Sequence, residues 1–237
     1  AAARSSAPQG FFRLTAAGGL RHASQAPRTM ILTRRRPRGK LNRKGEWRMK
    51  LRFAAPSDGA SLQRIYAQYI DTPVTFECSL PSTAEFTERI KSVSAFYPFL
   101  VCENRRAEVV GYAYAHRHME REAYQWNAEL SVYLDAGHTA RGIGRRLYCA
   151  LLGLIRLQGI KTAYGGVTIP NAASKKLHAA LGFTKLGTYH NAGYKCGAWH
   201  DVAWYEKNIA PYDAAPRPVL PLCAIDEAQI AAVLENV

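Results

Sequence analysis

Residues 138–148, HTARGIGRRLY, place two glycines and three arginines directly before an apolar run with helical spacing. A glycine-rich turn that leads into a helix brings unpaired backbone N–H groups and the positive end of the helix dipole to one point. Such a point binds anions, phosphate groups in particular. Because helix N-termini are common, the segment alone predicts an anion site without naming its ligand.

Two familiar phosphate-binding motifs do not account for these glycines. The sequence contains no GxxxxGK[ST] motif. A dinucleotide-binding GxGxxG motif needs a third glycine at position 147, which is Leu147, and an acidic residue at the end of the following strand, where none occurs. What remains is a GxG turn between a strand-like run and a helix-like run.

The runs that must position this turn alternate between strand and helix patterns from Met49 onward, which predicts an α/β domain. Strands are predicted at 51–55, in FLVCEN and EVVGYAYAHRH, at 125–135, and in KTAYGGVTI, TKLGTYHNA and AWHDVAWYEK. Helices are predicted after Ser57, after Pro81, between Gly142 and Gly159, in NAASKKLHAALGF and in IDEAQIAAVLENV. The predicted organisation is a tail (1–48), one domain (49–210), and a Pro-rich linker with a short helix (211–237).

Composition indicates one core and no membrane span. The chain has 237 residues, of which 48% are hydrophobic, enough to bury a full core. No apolar run approaches the roughly 20 residues that a membrane span needs. The five cysteines are odd in number and form no CxxC pair, which favours free thiols in a reducing compartment. We therefore expect a cytoplasmic protein without membrane attachment.

The net charge of +14 is concentrated in the tail. Residues 1–48 hold 12 of the 32 lysines and arginines and only one of the 18 acidic residues, so the rest of the chain is nearly balanced. By composition the tail should be disordered alone. Three explanations stay open, namely a translation start placed ahead of Met49, which we favour, a mitochondrial-type transit segment, or a nucleic-acid-binding arm. Nucleic acid is not expected to bind elsewhere.

Four spaced segments carry a resemblance to a known family. They are TPVTFE (72–77), REAYQWNAELSVYL (121–134), IPNAASKKLHAALGF (169–183) and GYKCGAWHDVAWYEK (193–207). With the GxG turn, they resemble the GNAT acetyltransferase superfamily, and specifically its phosphinothricin and methionine sulfoximine N-acetyltransferase group, over about residues 50–208. The resemblance implies a mixed, mostly antiparallel sheet flanked by helices, acetyl-CoA as co-substrate and a homodimer.

The resemblance also implies a set of residues that bind the cofactor. The strand before the turn would pair with the pantetheine arm, the turn would cradle the pyrophosphate, and an asparagine further on would also meet the cofactor. These residues are Val132, Tyr133, Leu134, Ala140, Arg141, Gly142, Ile143, Gly144, Arg145 and Asn171. One position departs from the family pattern, because Thr139 stands where glutamine or arginine is usual. We read Arg146 as a solvated residue at the start of the helix.

The resemblance places two residues in the chemistry. Acetyl transfer to an amine needs a base for the ammonium proton and is helped by an acid at the departing sulfur. Glu129 falls on the proposed base, acting through water, and His178 on the position of the group that protonates the sulfur. Substrate-binding positions are Phe76, Arg121, Tyr124, Lys195 and Trp199, of which the arginine suits a carboxylate or phosphinate. For Lys195 and Trp199, with His200, a dimer contact stays open as the alternative. His116 and His118 lack a third ligand at suitable spacing, so no metal site is expected.

We therefore expect an N-acetyltransferase that acetylates the α-amino group of a small amino-acid-like compound by direct attack in a ternary complex. Phosphinothricin, methionine sulfoximine or sulfone, and ordinary amino acids all stay open as acceptors. The alternatives are a non-catalytic CoA-binding domain, motivated by Thr139, and a GNAT enzyme acting on another amine.

Overall fold

The structure is a computed structural model that describes residues 49–237. The predictions about the tail, including the misplaced start and the nucleic-acid-binding arm, lie outside the described residues.

One sheet of seven strands forms the centre of the described chain, in the order β1-β2-β3-β4-β5-β7-β6. Neighbouring strands are antiparallel except for β4 and β5, which are parallel. The strands are β1 (Lys50–Phe53), β2 (Phe99–Glu103), β3 (Val109–Arg117), β4 (Asn127–Leu134), β5 (Thr162–Ile169), β6 (Thr184–Lys195) and β7 (Ala198–Asn208). The mixed, mostly antiparallel sheet predicted from the sequence is confirmed.

Within residues 49–237 five α-helices accompany the sheet, and local sequence signals set several of their ends. They are α1 (Gly59–Ala67), α2 (Thr83–Ser94), α3 (Ile143–Gln158), α4 (Ala172–Ala180) and α5 (Glu227–Glu235). Ser82 begins α2 with a capping box to Glu85, and Asn171 caps α4. Gly159 ends α3 in the left-handed region, at φ 99°, where glycine is favoured.

The two faces of the sheet are covered by different helices. On one face, α3 buries an apolar stripe that includes Leu147, Leu151 and Leu154, all fully buried. Each such leucine stabilises the fold by roughly 2 kcal/mol. On the other face, Leu62 and Ile65 of α1 form a second cluster with side chains of α2, β2 and β3. The two faces therefore have separate apolar cores.

The period of two along β4 divides its side chains between these faces. Ala128 and Leu130 belong to the cluster that contains α3, whereas Tyr133 packs against the cluster of α1 and α2. By the same alternation Glu129 and Ser131 lie on the α1/α2 face. A carboxylate is thus carried by a central strand on the face opposite α3.

A gap opens between β4 and β5. The parallel pairing covers three residue pairs, from Asn127 with Thr162 to Glu129 with Tyr164. Beyond that point each strand keeps its other partner, since β4 stays with β3 up to Leu134 and β5 stays with β7 up to Ile169. The sheet therefore splits just after Glu129.

The C-terminal segment packs against the domain. Leu220 N–H donates to the carbonyl of Gln158 (2.9 Å), and the Trp126 indole N–H donates to the carbonyl of Arg217 (2.9 Å). Helix α5 docks on α3 beside Gly153, where an added Cβ would lie 2.7 Å from a methyl of Val233. The predicted final helix is confirmed, and it contacts its own domain.

Candidate active site

The backbone of β4 presents a free edge to the gap. Because Asp135 N–H donates to the Val110 carbonyl of β3 (2.9 Å), Leu130, Val132 and Leu134 direct their backbone groups away from β3. The register with β5 ends before all three. This edge can take an additional extended strand or a ligand of similar hydrogen-bonding pattern.

Two tyrosines occupy the ends of this free edge. The Tyr148 hydroxyl of α3 donates to the Leu130 carbonyl (3.2 Å), and burial raises the pKa of Tyr148 above its usual range, so it stays a donor. The Tyr69 hydroxyl donates to the Leu134 carbonyl (2.6 Å) and accepts from the Leu134 N–H (3.3 Å). Between them, Val132 has no strand partner on this edge within residues 49–237.

The GxG turn lies at the far end of the same edge. Gly142 is the N-cap of α3 at φ 77°, and Ala140 is also left-handed at φ 59°. The first N–H groups of a helix have no intrahelical acceptor, so those at Ile143, Gly144 and Arg145 are available to an anion. Arg145 is also exposed. The geometry matches an anion cradle.

Three side chains around the turn differ in their roles. Arg141 is exposed and can add charge to the cradle. Thr139 Oγ1 donates to the Ala136 carbonyl (3.2 Å), so this side chain closes the local turn. Arg146 donates to the carbonyl of Met49 (2.9 Å) and to that of Val237 (3.3 Å). The prediction that Arg146 is solvated is therefore wrong, because it joins both ends of the described chain.

Helix α1 holds the segment between β4 and the turn. Arg64 donates to Asp135 Oδ2 (2.7 Å), and the Gln68 side chain accepts from Ala136 N–H (2.8 Å). Burial by itself would raise the pKa of Asp135, but hydrogen bonds from His138 and Arg64 hold that pKa well below its usual range. The ionised carboxylate keeps the end of β4 fixed to α1.

Glu129 lies where the gap begins. Its side chain is 22% exposed, and Oε2 is 3.4 Å from Nδ1 of His118, whose own side chain is 13% exposed. Across the last parallel pair it neighbours Tyr164. A partly buried carboxylate with one free oxygen can accept a proton from a group bound in the gap.

His178 of α4 lies behind β5, on the other face. It is 2% exposed, and its ring stacks on Tyr205 at 5.1 Å. Nδ1 is 2.9 Å from the Ser174 carbonyl, which can only accept, so Nδ1 carries the hydrogen and Nε2 the lone pair. Nε2 has no partner among the described residues and points at Gly165, where an added Cβ would overlap it.

The burial of His178 predicts a pH-dependent stability. Desolvation lowers its pKa below 6.5, with the Ser174 hydrogen bond opposing, so the unfolded chain takes up the proton first as the pH falls. The free energy of unfolding therefore decreases as the pH falls through about 6.5. His178→Asn, which retains a donor for the Ser174 carbonyl, should flatten this decrease. Urea unfolding of both proteins at pH 7.5 and 5.5 measures it, and parallel decreases would contradict it.

The predicted substrate residues fall into two places. The Phe76 ring packs on Gly193 of β6, and the buried Lys195 donates from Nζ to the Thr75 carbonyl (2.7 Å). These contacts hold the loop between α1 and α2 against the β6–β7 hairpin. The Lys195 ammonium, which was predicted to bind substrate, is already hydrogen-bonded within the chain. Glu77 of the loop pairs with Arg89 of α2. The loop is therefore anchored on two sides.

Arg121 and Tyr124 lie together elsewhere, on the connection between β3 and β4, and both are exposed. Trp199, near the turn of the β6–β7 hairpin, is 62% exposed to solvent. Leu186, Tyr189 and Tyr194 of β6 are also more than half exposed. The expected homodimer stays a prediction.

Asn171 uses its side chain to begin α4. Its Oδ1 accepts from Ser174 N–H (3.0 Å), which leaves the Nδ2 group free to donate to a ligand.

Several residues at this site carry no local sequence signal. His118, Tyr69, Tyr148 and Arg89 reach it from four different elements. Of these four, the sequence singles out only His118, as half of a histidine pair that lacks a third metal ligand. Within residues 49–237 no group of three or more His, Cys, Asp or Glu side chains could hold a metal ion. No helix in that range is long and apolar enough to cross a membrane.

Comparison with known proteins gives a consistent set of matches. The family model described as "Acetyltransferase (GNAT) domain" matches residues 51–204. A phosphinothricin N-acetyltransferase from Streptomyces viridochromogenes is 36% identical over 178 residues, covering 75% of this chain and 96% of the relative. An L-methionine sulfoximine/L-methionine sulfone acetyltransferase from Salmonella typhimurium is 30% identical, covering 71% and 98%.

A solved structure agrees with these sequence matches. A GNAT superfamily phosphinothricin acetyltransferase from Sinorhizobium meliloti, in complex with acetyl-CoA, superposes with a TM-score of 0.68 at 31% identity. The match covers 72% of this chain and 93% of that chain.

Proposed function

Because the chain belongs to the GNAT acetyltransferases, in the phosphinothricin and methionine sulfoximine acetyltransferase group, and is an acetyl-CoA-dependent N-acetyltransferase, we propose that it acetylates the α-amino group of a small amino-acid-like acceptor. The observation that carries the proposal is the position of Glu129. Its carboxylate lies where β4 and β5 separate, beside a free strand edge that leads to an anion cradle.

The residues along the gap fit acetyl-CoA. The backbone of Val132, with Tyr133 and Leu134, would pair with the amide-bearing pantetheine arm. The turn from Ala140 to Arg145 would hold the pyrophosphate, and Asn171 would donate from Nδ2. Nε2 of His178, beside Gly165, is a further polar group that has no hydrogen-bond partner among the described residues. For the arm to use Leu134, the Tyr69 hydroxyl has to release it.

The chemistry that we propose divides between two side chains. When bound, acetyl-CoA supplies the acetyl group on a thioester whose sulfur leaves as the amide forms. Glu129 takes a proton from the acceptor ammonium through a water, which frees the nitrogen lone pair for attack. Nε2 of His178, which carries a lone pair, takes the second proton that the acceptor nitrogen releases as the amide forms and passes it to the departing sulfur. Burial lowers the pKa of His178, which makes its protonated form a stronger acid.

The acceptor side is proposed to contact both the apolar part of an amino acid and its carboxylate or phosphinate. The loop carrying Phe76 gives an apolar wall, and Arg121 with Tyr124 offers a guanidinium and a hydroxyl to a carboxylate or phosphinate. Because the Lys195 ammonium is held by the Thr75 carbonyl, we assign it to fixing that loop. Trp199, exposed at the hairpin turn, would border the entrance.

A panel of acceptors tests the proposal. The purified chain is incubated with acetyl-CoA and phosphinothricin, methionine sulfoximine, methionine sulfone or methionine, and thiol release is followed together with the mass of the product. We expect turnover with at least one of these acceptors. N-acetylmethionine, whose amine is blocked, and methionine amide, which lacks the carboxylate, are the matched controls and should react poorly. A preference for polyamines or methionine amide over all four acceptors would contradict the proposal.

A further inference from the structure

His118 is a histidine in contact with the candidate base that the proposed mechanism does not use. It follows the end of β3, eleven residues before Glu129, and its Nδ1 is 3.4 Å from Glu129 Oε2. The two side chains are 13% and 22% exposed, so the contact is partly withdrawn from water. A hydrogen bond in such a place is stronger than one on the surface.

Aromatic neighbours hold the imidazole in this orientation. The ring stacks on Tyr164 of β5, with centroids 4.4 Å apart and an angle of 16° between the planes. Trp204 of β7 meets it edge-on at 5.4 Å. Contacts from two strands thus fix the ring plane while Nδ1 faces the carboxylate. A histidine serving only as apolar filling would not need that nitrogen at Glu129.

We propose that His118 is a positioning residue for Glu129: its Nδ1–H donates to Oε2, which leaves Oε1 as the oxygen that receives the acceptor proton. This inference rests on the proposed function, because it assigns a role to His118 only through Glu129. The bond restrains the carboxylate in one orientation, which favours proton abstraction by the other oxygen.

Other titratable groups surround the pair and must be kept constant in any test. His116 and Tyr114 of β3 lie on the Glu129 side, the former as its register partner. Tyr164 of β5 is the register partner of Glu129 across the parallel pair, and Tyr148 of α3 interacts with it electrostatically. None of these is changed in the variants below.

Two substitutions separate hydrogen bonding from packing. His118→Phe keeps an aromatic ring against Tyr164 but removes the donor. We expect kcat to fall about ten-fold, with the KM for acetyl-CoA unchanged. His118→Asn places an amide N–H where Nδ1 was, so it should recover most of the lost kcat.

A matched pair of variants controls for the loss of a histidine near a carboxylate. His190, 75% exposed, has Nδ1 3.0 Å from Asp201 Oδ2 on the outer strands. His190→Phe and His190→Asn should both leave kcat and its pH profile at the wild-type values.

The outcomes distinguish this inference from the proposed function. If wild type turns over none of the amino-acid-like acceptors, the proposed function fails, and the His118 variants are then compared with whichever amine is acetylated. If wild type is active and His118→Phe keeps the wild-type kcat, the inference is overturned. Equal loss of kcat in His118→Phe and His118→Asn also overturns it, because packing alone would then explain the effect.

Discussion

Glu129→Gln should lower kcat by about 100-fold or more while acetyl-CoA binds as tightly as to the wild type. The substitution preserves the size of the side chain and a hydrogen-bonding oxygen but removes the group that takes the proton, and general-base catalysis contributes at least this factor. Steady-state thiol release with the best acceptor measures kcat, and calorimetric titration with acetyl-CoA measures binding. Binding should be retained because the residues proposed to hold the cofactor would use backbone groups of β4 and of the turn.

Glu88→Gln is the matched control for Glu129→Gln. Glu88 lies on α2 with 70% of its side chain exposed and has only a 3.4 Å ion pair with Lys91, so its loss should leave both quantities unchanged. Retention of more than a tenth of wild-type kcat by Glu129→Gln would remove Glu129 from the role of base. Loss of acetyl-CoA binding would instead mean that the carboxylate supports the gap rather than the proton transfer.

Much of the fold could be predicted from the spacing of apolar residues and from the glycines, prolines and capping residues that mark the ends of helices and strands. The helix between Gly142 and Gly159 combined an apolar stripe with glycines at both ends, and the structure has α3 at Ile143–Gln158. The resemblance to the GNAT family, drawn from four spaced segments, is confirmed by the family match over residues 51–204. Local signals were sufficient here because each one concerns residues close together in the chain.

The side-chain environment of the site did not follow from the sequence, since it depends on contacts between distant residues. Lys195 and Thr75 are 120 residues apart, and only the folded chain shows that this ammonium is already bonded. His118 was considered with His116 as a metal pair, whereas its position beside Glu129 depends on how β3, β4 and β5 are arranged. The roles assigned to Glu129, His178 and the cofactor residues stay predictions until tested.

The glycines Gly165 and Gly166 illustrate this difference between pattern and packing. In the sequence they are adjacent residues of one predicted strand, and nothing in the pattern distinguishes them. In the structure, a Cβ at Gly165 would overlap Nε2 of the buried His178, whereas a Cβ at Gly166 would lie an ordinary 3.4 Å from the Trp204 ring on the other face. Gly165 therefore leaves space for the His178 ring, the candidate acid, whereas Gly166 has no contact with that ring.

Gly165→Ala should therefore damage both stability and turnover. The His178 ring cannot move aside easily, because the Ser174 carbonyl and the Tyr205 ring hold it. Overpacking of this kind costs about 1–3 kcal/mol in the free energy of unfolding. Displacement of Nε2 should lower kcat by about ten-fold or more. Urea unfolding and thiol release measure the two effects.

Gly166→Ala is the control, and its free energy of unfolding should stay within about 0.5 kcal/mol of wild type. A double-mutant cycle makes the cause explicit, since Gly165→Ala introduced into His178→Ala meets no ring and should cost little or fill part of the space that the ring leaves. Additive losses in the cycle would show that Gly165 serves the strand backbone and not the imidazole. Strong coupling would place His178 Nε2 against β5 in solution, which its proposed role on the sulfur side of the gap requires.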